Sequence, residues 1–257
     1  MKKRSKRVTR TRELLSRECI RVVPLHQPFI GAAAEANLTY RGGSLLPNVE
    51  VFTIFWGKLW GASSGSTDLM NNLNQFFREI VVSPLLDQLA EYNVAGETIG
   101  HGSFIGTKVI AANAPARSVT DLAIQKQLKK WIKSRTIPKN KANTLYFIYL
   151  DPGVSSVMGG SRSCQSYCGY HNNVGSVYYA IMPYPGCSGC LGGLEVFDAL
   201  TGTSSHELCE AITDPVPGSG WYDDVNGEIG DICAWSFKQI AGYTVQLEWS
   251  NQQWKCV

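Results

Sequence analysis

Apolar and polar positions alternate along the chain in a way that separates strands from helices. Residues 49–56 form a short β-branched and aromatic run, which predicts the first strand. After the start signal Thr67-Asp68, the residues Leu69, Leu73, Phe76, Phe77 and Ile80 recur at helical spacing, which predicts a core-facing helix to about Val82. Ser83-Pro84 opens a shorter helix over residues 85–92, because serine caps and proline suits the first turn. Strand character returns over residues 104–111. From Ser118 and Asp121 a further helix is expected to about Ser134, with Leu122, Ile124, Leu128, Trp131 and Ile132 opposite a solvated row of Lys126, Lys129, Lys130 and Lys133.

Residues 145–150 are a continuous apolar run of strand length and are expected to be buried on both faces. A long loop rich in Gly, Ser and Cys is expected over residues 151–175, then a strand over 177–182. A helix over about 194–213 and two strands over 232–237 and 243–249, joined at Ala241-Gly242, complete the pattern. It describes one α/β or α+β domain over residues 45–257, a mixed sheet with packed helices and a disulfide-pinned loop region. A loop-like lead-in over 22–44 precedes it and contains the sequon Asn37-Leu38-Thr39.

At 257 residues and 44% hydrophobic content the chain can bury a sizeable core. Its net charge of +3 is uneven: residues 1–21 hold nine Lys/Arg against Glu13 and Glu18, so that segment carries +7 and the remainder 3 − 7 = −4. This basic arm is read as disordered and solvated; no aromatic or glycine-rich pattern accompanies it, so no nucleic-acid partner is expected. No window of about 18 apolar residues occurs, so no membrane span is expected. Nor does an apolar run of about 7 to 15 residues follow Lys2-Lys3-Arg4, so no signal peptide is recognised. Cysteine usage nevertheless points to an extracellular protein. Six of the eight cysteines fall as Cys164/Cys168, Cys187/Cys190 and Cys233/Cys256, which reads as local disulfides rather than a zinc knuckle.

The chemistry concentrates in Ser205-His-Glu-Leu-Cys-Glu210. On a helix His206 and Glu210, at i and i+4, share a face and can grip one ion, while Glu207 lies beside them as a general base. A hydrolytic zinc site usually takes three protein ligands. For the third, Asp231 lies 21 residues beyond Glu210, and Gly227 and Gly230 let the backbone fold under the helix; Asp214, just before Pro215, is the rival. Tyr222 is a candidate oxyanion donor. His171 is open between ligand, transition-state stabiliser and loop histidine. An EF-hand centred on Gly227 fails because Tyr222 and Cys233 stand where acids are needed, though a less regular calcium site stays open. Residues 178–182 are expected to bind an extended substrate by edge pairing.

Several stretches resemble a known family: Val51-Phe-Thr-Ile-Phe-Trp-Gly-Lys-Leu-Trp60, Ser83-Pro-Leu-Leu-Asp-Gln-Leu89, Cys168-Gly-Tyr-His171, Tyr178-Tyr-Ala-Ile-Met-Pro183 with Cys187/Cys190, and Ser205-His-Glu to Asp-Pro215. They are similar to the phosphate-induced, Exordium-like proteins, and closer to microbial members that carry HExxE. The resemblance implies an extracellular protein; the plant members, linked to growth, generally lack the His-Glu-x-x-Glu residues present here. Together the motif and the resemblance predict a zincin-like, zinc-dependent metallopeptidase acting on a peptide or protein substrate. The competing expectation is a non-catalytic extracellular module that binds cell-wall glycan or signals in growth.

Overall fold

The computed structural model describes residues 23–24 and 36–257. The basic arm over 1–21 lies outside the described residues. Ten elements build the body: β1 (Glu50–Trp56), α1 (Ser64–Ile80), β2 (Ser103–Ile110), α2 (Asp121–Lys133), β3 (Thr144–Leu150), β4 (Tyr170–Val174), β5 (Val177–Met182), α3 (Val196–Thr213), β6 (Phe237–Ile240) and β7 (Tyr243–Gln246). Five strands form one sheet in the order β2-β1-β3-β5-β4, with β2, β1, β3 and β5 parallel and β4 antiparallel at one edge. The fold is mixed α/β.

Alternating side chains of this sheet feed two cores, as the pleat requires. Val51, Phe55, Phe147, Tyr149 and Ala180 face α1 and α3, whereas Phe52, Ile54, Trp56, Ile148 and Ile181 face α2. Every residue of β3 is buried, because it has strands on both edges and helices on both faces. Helix α1 starts at a capping box in which Ser63 and Ser66 satisfy each other's backbone N–H, and it buries Met70, Leu73, Phe76, Phe77 and Ile80. Helix α2 is capped by Thr120 and buries Ile124, Leu128 and Trp131.

Helix α3 is not amphipathic. From Ala199 to Thr213 all but Thr203 are buried, so its polar side chains are enclosed as well as its apolar ones. The cause is a second layer: the β6–β7 hairpin closes over the side of α3 away from the sheet. Tyr149 Oη and Ser204 Oγ lie 2.8 Å apart on the sheet side, and Ser205 Oγ accepts from the Gln246 backbone N–H at 2.9 Å on the hairpin side. Gly202 permits this approach, since a Cβ there would stand 2.8 Å from the Phe237 ring.

Five sequence expectations need correction. Residues 178–182 do not form an edge; β5 lies between β3 and β4, so both its edges are already paired, and the outer strand is β4. The loop over 151–175 is not structureless: Ser155–Met158 pairs with Ser118–Thr120 and Ser161–Arg162, and β4 begins at Tyr170. The first of the two last strands starts at Phe237 rather than 232, because Asp231–Cys233 is a 3-10 turn. Disulfides cross between the two cysteine loops, as Cys164–Cys187 and Cys168–Cys190, rather than closing each loop on itself; Cys233–Cys256 forms as read. The lead-in is also more than loop, since Ala36 and Leu38 join the core and Thr39–Tyr40 pairs with Trp221–Tyr222. Among the described residues no helix is long and apolar enough to cross a membrane.

Candidate metal centre

The C-terminal half of α3, strand β4 and the loop over 223–231 converge on one buried polar cluster. His206, Glu207, Glu210 and Glu228 are fully buried, and His171 is 1% exposed. His206 Nε2 lies 2.9 Å from Glu210 Oε1, the i to i+4 geometry that the motif predicts. The Asp231 backbone N–H donates to the same oxygen at 3.1 Å, and ligand atoms of His206, Glu210 and Asp231 all lie within 4.8 Å of one another. Gly230 makes this possible: a Cβ there would stand 2.6 Å from His206 Nδ1, so only glycine lets the chain pass under the ring. Gly227, at φ 94°, turns the loop beside the Asp231 carboxylate.

His171 completes the other side. Its Nε2 lies 3.1 Å from the Asp214 carbonyl oxygen, while Nδ1 lies 3.3 Å from Glu207 Oε2 and 3.4 Å from Glu210 Oε2. Glu210 therefore faces one imidazole with each oxygen. Asp214 turns its carboxylate elsewhere: both its oxygens accept from the backbone N–H groups of Gly218, Ser219 and Gly220, so the carboxylate clamps the turn after α3 and its carbonyl orients His171. Tyr222 pairs with Thr39, and the Arg41 guanidinium lies 4.5 Å over its ring.

Three further groups, none marked by a motif, border the cluster. Glu228 is buried, with Oε1 3.4 Å from His171 Nε2. Gln246, on β7, places Nε2 2.8 Å from His206 Nδ1 and 2.9 Å from the Gly230 carbonyl. Glu248 is buried beside Cys209. Only Glu228 had a local signal, the acidic loop itself; Gln246 and Glu248 lie on a segment without any motif.

The electrostatics favour a cation. His206 Nε2, Glu207 Oε1, Glu210 Oε2 and both oxygens of Glu228 are buried without a hydrogen-bond partner among the described residues. Four carboxylates, Glu207, Glu210, Glu228 and Asp231, share the space with two imidazoles. Burying charge without compensation is costly, so the metal-free protein answers by shifting protons. Burial pushes both imidazoles down, but the surrounding carboxylates, Glu228 foremost for His171 and Glu210 for His206, win and raise them well above the ordinary value. Burial also opposes ionisation of Glu210, yet the charge on His206 and the close approach of both imidazoles hold it down to about 2. For Glu207 and Glu228 burial dominates, and their carboxyls are raised despite His171. The donor set, imidazole nitrogen and carboxylate oxygen with lone pairs turned inward, fits zinc.

Comparison of the chain with protein-family models, with curated proteins and with solved structures finds no match in any of the three.

Proposed function

We propose that this cluster is the metal centre of a zinc-dependent peptidase of zincin-like fold, held by His206, Glu210 and Asp231. The observation that carries it is the convergence of those three ligand groups beside Glu207, whose Oε1 is unpartnered. A zinc ion bound there supplies Lewis acidity, which polarises a peptide carbonyl and acidifies water. Glu207 takes the water proton at Oε1 while Oε2 is steadied by His171 Nδ1. As water oxygen bonds to the carbonyl carbon and the C–N bond breaks, Glu207 returns that proton to the leaving amine nitrogen. His171 stays oriented through the Asp214 carbonyl.

The mixed sheet with its antiparallel edge strand beside the motif helix supports the zincin-like assignment, and β4 replaces β5 as the strand a peptide would join. Three disulfides suit an oxidising compartment, which supports an extracellular location and the Exordium-like kinship. Metal content by mass spectrometry, together with casein cleavage before and after chelation, tests the proposal. Glu207→Gln is expected to keep the metal and lose about 10²- to 10⁴-fold in rate. A metal-free protein, or a variant as active as the parent, overturns it.

A second reading, a structural cation at the same cluster, draws on the full burial of His206, Glu207 and Glu210. In that case chelation lowers the melting temperature and no hydrolysis is ever detected.

A further inference from the structure

The edge leading into β4 is already taken, and by the chain's own N-terminal side. The Val23 N–H donates to the Gly169 carbonyl at 3.1 Å, and the Cys168 N–H donates to the Val23 carbonyl at 2.8 Å. Val23 is 3% exposed and seats its side chain among Cys168 and Cys190, with Cys164, Cys187 and Trp235 packed around them. Proline has no N–H to donate, so the carbonyl is all that Pro24 can offer a neighbour; the Trp235 indole N–H donates to it at 2.9 Å. Trp235 holds this position from a left-handed backbone, φ 67°, which a bulky L-residue adopts only under constraint. Gly192 leaves room for its ring, since a Cβ there would stand 2.5 Å away.

This contact lies against the candidate centre. A Cβ on Gly169 would stand 3.2 Å from Glu207 Oε1, so the residue whose carbonyl holds Val23 also abuts the unpartnered oxygen of the base. Beyond it the outer edge of β4 carries no strand among the described residues. Main-chain pairing gives such an edge affinity, and the pocket beneath gives side-chain preference.

We propose that Cys168–Gly169, the crossed disulfides and Trp235 form a binding site for an extended peptide with an aliphatic side chain followed by proline, and that Val23–Pro24 is its resident, self-blocking occupant. The consequence for hydrolysis rests on the peptidase reading above; the binding itself does not. A peptide arriving from outside must displace the resident segment, so its apparent affinity is reduced by the fraction of molecules in which the edge is free.

Two measurements on the full chain, both independent of metal and turnover, test this. Hydrogen exchange at the Cys168 amide is expected to quicken at least about tenfold in Val23→Asp, because release of the segment unprotects that donor. A synthetic peptide spanning residues 21–27 is expected to bind Val23→Asp at least about tenfold more tightly than the parent, and the same peptide carrying aspartate for Val23 is expected to bind neither. Val23→Thr, close to isosteric, is expected to give intermediate values and serves if the aspartate variant misfolds. Unchanged exchange in both variants, or no peptide binding once exchange has quickened, overturns the proposal. A protein that binds the peptide yet cleaves nothing sinks the peptidase reading alone.

Discussion

The residue that decides how His206 presents itself is Gln246. With its amide nitrogen toward Nδ1 and also donating to the Gly230 carbonyl, the ring proton sits on Nε2 and points at Glu210; an ion on Nε2 requires the amide to turn its oxygen to Nδ1, which then carries the proton. Partners of this kind fix the tautomer of a ligating histidine. Gln246→Ala is therefore expected to weaken zinc affinity about 10- to 100-fold while leaving Glu207 in place, measured by competition with a chromophoric chelator. An unchanged affinity would remove Gln246 from the centre. The sequence exposed His206, Glu207 and Glu210 because motif spacing is local and a helix converts four positions into one face, whereas Asp231 was read from an acidic, glycine-hinged loop 21 residues beyond Glu210. Gln246 and Glu228 were illegible for the opposite reason: their proximity arises from a hairpin and a loop folding over α3, and no spacing rule encodes that.

At the level of elements, the apolar patterns translated well wherever burial of a strand or of one helix face forced them. β1, β3, β5, α1 and α2 stand close to the residues their patterns marked. Errors fell where pairing partners decide the structure. Nothing in the composition of residues 178–182 reveals that β4 would fold back and cover their edge, and no cysteine spacing tells a crossed disulfide pair from two locally closed loops. Cys233–Cys256, with a sequence separation of 23, ties the 3-10 turn that begins at Asp231 to the end of the described chain. Replacing both cysteines by serine is expected to cost about 3 kcal/mol of stability by the chain-entropy argument. Urea unfolding would read this, and a loss well under about 1 kcal/mol would show that the tie does not constrain the turn.

For the whole molecule, the buried cluster sets how stability follows pH when metal is absent. His171 and His206 are raised in the fold, so their contribution is whole below the unfolded value of 6.5 and is lost as pH climbs through the raised values. Glu228, also raised, contributes below its unfolded 4.5 and loses that contribution as pH rises. Glu210 acts in the opposite sense: its contribution is present above 4.5 and disappears as pH falls through about 2. Chelated protein is thus expected to be most stable in mild acid and to weaken toward alkaline pH. Zinc should reverse that slope, since ligands bind it deprotonated. Denaturation curves at several pH values, with chelator and with zinc, separate the two; chelated protein that gains stability from about pH 5 to 8 contradicts the account.

The hairpin that closes over α3 also imposes a timetable. His206 precedes Gln246 by 40 residues, so a ribosome extrudes the motif helix before the strand that roofs it. At about 5 to 20 residues per second the nascent helix spends some seconds without its cover. On the metal-centre proposal, an ion would be held more tightly by the folded product than by the growing chain, and a stalled or prematurely ended polypeptide would carry the motif intact without the strand that roofs it.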